Sequence, residues 1–165
     1  MIRKAGQDDC QNLAALSLQV WLHTYATQGL RDKISQYALA TFTEGHYQQL
    51  IDASGHEILL FIENNHLVGF VVIDLDSRFK GGVGGYEIAR LYVSEHFHGR
   101  GIGRALIEEA KLQYGLPCWL SVWVENHSAI AFYRKLGFEQ IGNVEFNLEG
   151  ELHENHVYSL GRSEV

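Results

Sequence analysis

The sequence predicts a single α/β domain: a mixed, mostly antiparallel central sheet of six to seven strands flanked by about four helices. Three observations predict it. Apolar residues recur with a helical period in the first third of the 165-residue chain and in short strand-like runs from residue 58 onward. Glycines and asparagines stand between the periodic segments, where turns need them. The only proline, Pro117, and the lack of repeats or low-complexity tracts leave no linker, so residues 1–165 form one domain.

Taken in order, the segments read β, α, α, β, β, β, α, β, α, β, β. Asp8 or Asp9 caps a helix with Leu13, Leu16 and Val20 on one face, and Thr43 caps another through Tyr47, Leu50 and Ile51. Ile58–Ile62 and Leu67–Ile73 are short apolar runs joined at Asn64-Asn65, an antiparallel hairpin. Residues 81–85 are a glycine-rich loop. A strand from Tyr86 to Val93 leads through a glycine turn into a helix with Ile102, Leu106, Ile107 and Ala110 on one face. A strand from Cys118 to Val124 follows. Ser128 then caps a helix through Leu136, Gly137 supplies its left-handed end, and strands near Phe138–Leu148 and His156–Leu160 close the chain.

Bulk properties exclude several functions. Hydrophobic residues are 46% and charged residues 20% of the chain, a globular mixture. No run approaches the ~20 apolar residues of a membrane helix, and the start resembles no signal peptide, so a cytoplasmic protein is expected. Cys10 and Cys118 follow no metal or redox spacing and are expected to be reduced. The −7 net charge argues against a nucleic-acid surface and favours cationic partners. His153 and His156 lie three apart in a strand-like segment, a spacing that suits a metal only on a helix, and no metal is expected.

One turn stands out chemically. His98-Gly99-Arg100-Gly101-Ile102-Gly103-Arg104 joins a strand to a helix, where free amide N–H groups and the positive helix end can hold a phosphate. Its G-x-G-x-G spacing is neither the dinucleotide fingerprint nor the P-loop. Arg100, Arg104 and Lys111 add positive charge to an otherwise acidic chain.

Three segments together resemble the GNAT superfamily of acetyltransferases: Glu87-Ile88-Ala89-Arg90-Leu91-Tyr92-Val93, the turn itself, and Trp119-Leu120-Ser121-Val122-Trp123-Val124-Glu125-Asn126 with Ala129-Ile130-Ala131-Phe132-Tyr133-Arg134-Lys135-Leu136-Gly137-Phe138. The resemblance implies an enzyme that moves the acetyl group of acetyl-CoA onto a primary amine by direct attack in a ternary complex, without metal. It implies a sheet splayed between the strand ending at Val93 and the one starting near Cys118, with coenzyme held along Leu91, Tyr92 and Val93. The turn His98 to Arg104 would bind its pyrophosphate, although the family pattern has Gln or Arg where His98 stands. Asn126, Ala129, Phe132 and Lys135 complete the implied cofactor set.

Tyr133 falls where the family places the acid that protonates the leaving thiolate. Freeing an amine of pKa near 10.4 at pH 7 costs about 4–5 kcal/mol, so a base is needed. Glu87, 14 residues before Gly101 (101 − 87), falls where some members carry it. Strict alternation would put Glu87, Ala89, Leu91 and Val93 on one face, and apolar neighbours would raise the Glu87 pKa.

The whole chain looks most like the bacterial Pai-type spermidine/spermine N-acetyltransferases. In that reading residues 1–55 form the helical acceptor side and residues 56–165 the acetyl-CoA core. A polycation such as spermidine is the expected acceptor, favoured also by Glu149, Glu151 and Glu154 near the C-terminus. Alternatives are a protein or peptide N-acetyltransferase and a non-catalytic acyl-CoA-binding regulatory module. The resemblance also brings a homodimer into view, since such enzymes commonly pair.

Overall fold

The structure is a computed structural model that describes residues 1–81 and 84–161. Its strands are β1 (Ile2–Lys4), β2 (His56–Glu63), β3 (His66–Asp74), β4 (Tyr86–Val93), β5 (Cys118–Trp123), β6 (Glu139–Leu148) and β7 (Glu151–Leu160). Its helices are α1 (Cys10–Tyr25), α2 (Asp32–Thr41), α3 (Glu44–Asp52), α4 (Ile102–Tyr114) and α5 (His127–Lys135). The seven strands form one sheet in the order β1-β2-β3-β4-β5-β7-β6, antiparallel except for β4 beside β5.

The hairpin at Asn64-Asn65 forms because both residues take positive φ, 49° and 62°, the backbone that asparagine tolerates and a tight hairpin requires. The Thr43 hydroxyl accepts from His46 N and starts α3. Gly137, at φ 94°, ends α5 as expected.

Several local expectations need correction. Asp9 does not cap α1 with its side chain. Its carboxylate accepts from both Arg3 guanidinium nitrogens and from Gly6 N, all at 2.8 Å, closing the turn before the helix. The cap of α5 is Asn126, not Ser128: its side-chain oxygen accepts from Ala129 N at 3.3 Å. Among the described residues there are five α-helices where about four were expected. The additional one, α2, buries only Ile34 and Ala38 while Leu39 stays exposed, so its apolar stripe is too narrow to signal a helix. Residues 82 and 83 of the glycine-rich loop lie outside the described residues.

Helices cover both sheet faces. On one, α4 and α5 bury Leu106, Ile107 and Tyr133 against Val71, Ile73, Ile88 and Leu120. On the other, α1 and α3 bury Leu13, Leu16 and Tyr47 against Ile58, Leu60, Phe70 and Val72. Each such aliphatic side chain contributes about 1.5–3 kcal/mol by leaving water. Trp21, Ile34, Ala38, Phe42 and Leu148 form a third cluster where α2 docks.

Two irregularities create the site. Strands β4 and β5 pair only at Tyr86↔Cys118 and Glu87↔Trp119 and then part, leaving Ile88–Val93 without a partner on that side. In β4, Val72 pairs with Arg90 and Ile73 with Ile88, so Ala89 is an extra residue, a β-bulge. The bulge reverses the side-chain parity. Ile88 packs with Leu91 and Val93 toward α4, which leaves Glu87 on the side of Arg90 and Tyr92. The single shared face expected for Glu87, Ala89, Leu91 and Val93 is therefore broken at Ala89.

Candidate active site

The parted strands open a cleft of about 300 Å³. Ala89, Leu91 and Tyr92 line it from β4, and Ser121, Val122 and Trp123 from β5. Asn126, Ala129 and Tyr133 enter from α5, while Trp21, Tyr25, Tyr37, Phe42, Phe146 and Asn155 close the other side.

The glycine turn sits beside this cleft. Gly99 and Gly101 have φ of 76° and 79°, backbone that a side chain disfavours. A Cβ on Gly103 would stand 3.1 Å from the Phe132 ring and 3.8 Å from Leu91, so the glycine lets α4 approach β4 and α5. The first bond of α4 runs from Ala105 N to Gly101 O at 2.9 Å, leaving the amides of Ile102, Gly103 and Arg104 without intrahelical acceptors. These donors, with exposed Arg104, fit a diphosphate. Arg100 is engaged by Glu63 at 3.2 and 3.4 Å and packs over Phe97. His98 turns back: its Nε2–H donates to Val93 O at 2.9 Å, bracing the turn against the strand end.

Tyr133 is 8% exposed and packs edge-on against Phe132 and Phe138 at 5.2 and 5.5 Å. Burial pushes its phenol well above the ordinary tyrosine range, so it carries its proton at neutral pH. The Asn126 oxygen is occupied by the helix cap, which fixes its side chain at the cleft edge. Phe132 supports Gly103 from beneath, and Lys135 is exposed at the end of α5, outside the cleft lining.

Glu87 is likewise outside the lining residues. Burial raises its carboxyl pKa, with nearby Asp74 adding to the rise and the Ser77 hydroxyl opposing it. The rise expected from sequence is present, but its setting is the β3–β4 edge, not a row of apolar neighbours on β4. Glu149, Glu151 and Glu154 lie on the β6–β7 hairpin, also outside the lining. Arg31 grips Glu151 with two bonds of 2.9 and 2.6 Å.

Sequence reasoning missed part of the cleft. Trp21 stacks on Tyr25 at 4.6 Å, Tyr25 on Trp123 at 5.0 Å, and Phe146 meets Tyr37 edge-on at 5.4 Å. Arg90 and Asn155 also line it. The clustering of aromatics at 21, 25, 37 and 42 was the available signal.

A parallel pair that parts, a glycine turn with unbonded amides beside it and a buried phenol in the lining are together compatible with an acyl-CoA-dependent transferase. A family model of the acetyltransferase (GNAT) family matches residues 20–138, and the chain belongs to that family. It is an acetyl-CoA-dependent N-acetyltransferase. Over 153 residues, 88% of this chain and 92% of the relative, it is 29% identical to a probable spermine N(1)-acetyltransferase of Bacillus subtilis subsp. natto. Its fold matches the PaiA N-acetyltransferase of Thermoplasma acidophilum in complex with coenzyme A, with TM-score 0.71 and 22% identity over 94% of this chain and 96% of that one. It also matches a ribosomal-protein-alanine N-acetyltransferase of Brucella melitensis, with TM-score 0.69 and 23% identity over 97% and 98% of the chains. Among the described residues no helix is long and apolar enough to cross a membrane, and no group of three His, Cys, Asp or Glu could hold a metal.

Proposed function

We propose that the chain acetylates a small primary amine by direct attack in a ternary complex, with Tyr133 as general acid. The observation that carries this reading is the buried, protonated phenol inside the cleft beside the glycine turn. Acetyl-CoA supplies the thioester acetyl group. The amides at the start of α4 and Arg104 hold its diphosphate, and Leu91 and Val93 offer backbone groups along the unpaired edge of β4. Tyr133 gives its proton to the sulfur as the C–S bond breaks, and the amine nitrogen forms the new amide bond. Glu87 takes the amine's proton through cleft solvent, since it stands outside the lining itself.

An acetyl-enzyme route lacks a nucleophile. Among the lining residues there is no cysteine, and the hydroxyls of Thr24 and Ser121 have no histidine in the lining to activate them. Cys118 is buried and its thiol is pushed up to about 11, far from thiolate at neutral pH. Both thiols stay reduced in the cytoplasm, the compartment that suits this reading.

A polyamine acceptor rests on the likeness to the probable spermine N(1)-acetyltransferase. Against it stands the lining, which holds no carboxylate for an ammonium and one guanidinium instead. A peptide amine is the second reading, suggested by the name of the Brucella neighbour.

Initial-velocity kinetics with acetyl-CoA and an amine test the mechanism. Direct attack gives intersecting double-reciprocal lines, whereas parallel lines would establish a covalent acetyl-enzyme.

A further inference from the structure

Four observations on the acceptor side point to one substrate chemistry. First, among the described residues Arg90 is the only charged residue lining the cleft. Second, it has no carboxylate within 4 Å among the described residues. Its Nη1 donates to His46 Nε2 at 2.9 Å and to the Tyr47 hydroxyl at 3.3 Å, while its carbon lies over the rings of Phe42 and Tyr47 at 5.2 and 5.7 Å. His46 must therefore accept and stay neutral, and burial together with Arg90 lowers its pKa accordingly. Neither the Nη2 nor the Nε donors have a partner among the described residues.

A half-buried guanidinium without a counter-charge is costly unless a ligand completes it, and its planar fork matches a carboxylate. Third, Asn155 lines the same cleft, is only 9% exposed, and its amide oxygen has no hydrogen-bond partner. That oxygen is sealed within the wall, so a substrate N–H completes it only when the side-chain amide turns toward the cleft. Fourth, the wall between them is aromatic, with Trp21, Tyr25 and Trp123 stacked.

We infer that the acceptor is a small zwitterionic amine, an amino acid with an apolar or aromatic body, whose carboxylate is held by Arg90 and whose amine is positioned by the Asn155 amide oxygen. This rests on the acetyltransferase reading above and names its substrate class. The uncompensated guanidinium repels a polycation, while a zwitterion neutralises it.

The test compares kcat/KM for amines that differ only in the carboxylate. Wild-type enzyme is assayed for thiol release with phenylalanine and tryptophan, with phenethylamine and tryptamine, with spermidine and with a peptide N-terminus. The amino acids should exceed their decarboxylated partners by about 10- to 100-fold, mostly through KM. In Arg90→Gln and Arg90→Lys that ratio should collapse toward one, and Asn155→Leu should lower turnover of both members of each pair. The wild-type ratio alone decides the question should a variant fail to fold. Equal rates for amino acids and their decarboxylated partners, or preference for spermidine or the peptide, would overturn the inference while leaving the transferase reading intact. No thiol release with any amine would overturn both.

Discussion

The imidazole of His98 and the carbonyl of Val93 are joined by a 2.9 Å hydrogen bond that ties the first residue of the glycine turn to the last residue of β4. The neutral Nε2–H tautomer and the imidazolium both donate this bond, so protonation does not break it. His98 thus holds the shape of the turn, a different task from that of a side chain reaching the coenzyme. His98→Ala should raise the KM for acetyl-CoA about two- to tenfold, with kcat little changed, as loss of one exposed hydrogen bond of roughly 0.5–1.5 kcal/mol implies. Unchanged KM would show that the bond does not shape the turn.

Among the described residues Arg104 is the unpaired cation of the turn, since Arg100 is spent on Glu63. An exposed pair of opposite charges is worth about 0.2–1 kcal/mol, and reversing one of them about doubles the loss. Arg104→Glu should therefore weaken acetyl-CoA binding by roughly 2- to 30-fold at low salt. Calorimetry at two ionic strengths checks this: the deficit should shrink as salt rises. A deficit that does not depend on salt would mean that the arginine acts through packing.

Glu87 offers a pH test with a defined sign. Burial raises its folded pKa above the ordinary carboxylate value. Its contribution to stability is then fully present below the unfolded pKa and is lost as pH rises through the folded one. Glu87→Gln removes that loss, so its Tm relative to wild type should be more favourable at pH 7 than at pH 4. As the base, Glu87 should also set the acidic limb of the kcat/KM profile, which the variant should flatten. A variant with an unaltered acidic limb would leave Glu87 a purely structural carboxylate.

The parts of the fold legible in the sequence are those where residue type and backbone conformation are linked locally. Asn64-Asn65 and the glycines at 99, 101 and 137 mark positive φ directly, and the turn at 98–104 carries its donors in its own backbone. What was hidden depends on tertiary context. The bulge at Ala89 sits inside a run that reads as a regular strand, because an alanine carries no mark of being unpaired. The aromatic wall gathers residues from 21 to 146 only once α2 has docked, and α2 itself shows a faint stripe of Ile34 and Ala38. Arg90 reads as a strand arginine until the structure shows that no carboxylate among the described residues meets it.

The most direct test of the account is the turnover of Tyr133→Phe. The substitution keeps the ring that packs on Phe132 and Phe138 and removes only the hydroxyl, and with it the proton that the phenol carries. Thiol release should be measured with saturating acetyl-CoA and the best amine acceptor, for wild type and variant at the same pH. General acid catalysis is typically worth 10²–10⁴-fold, so kcat should fall by about that factor with the acetyl-CoA KM unchanged. Turnover within about twofold of wild type would contradict Tyr133 as the acid and with it the assignment of the cleft.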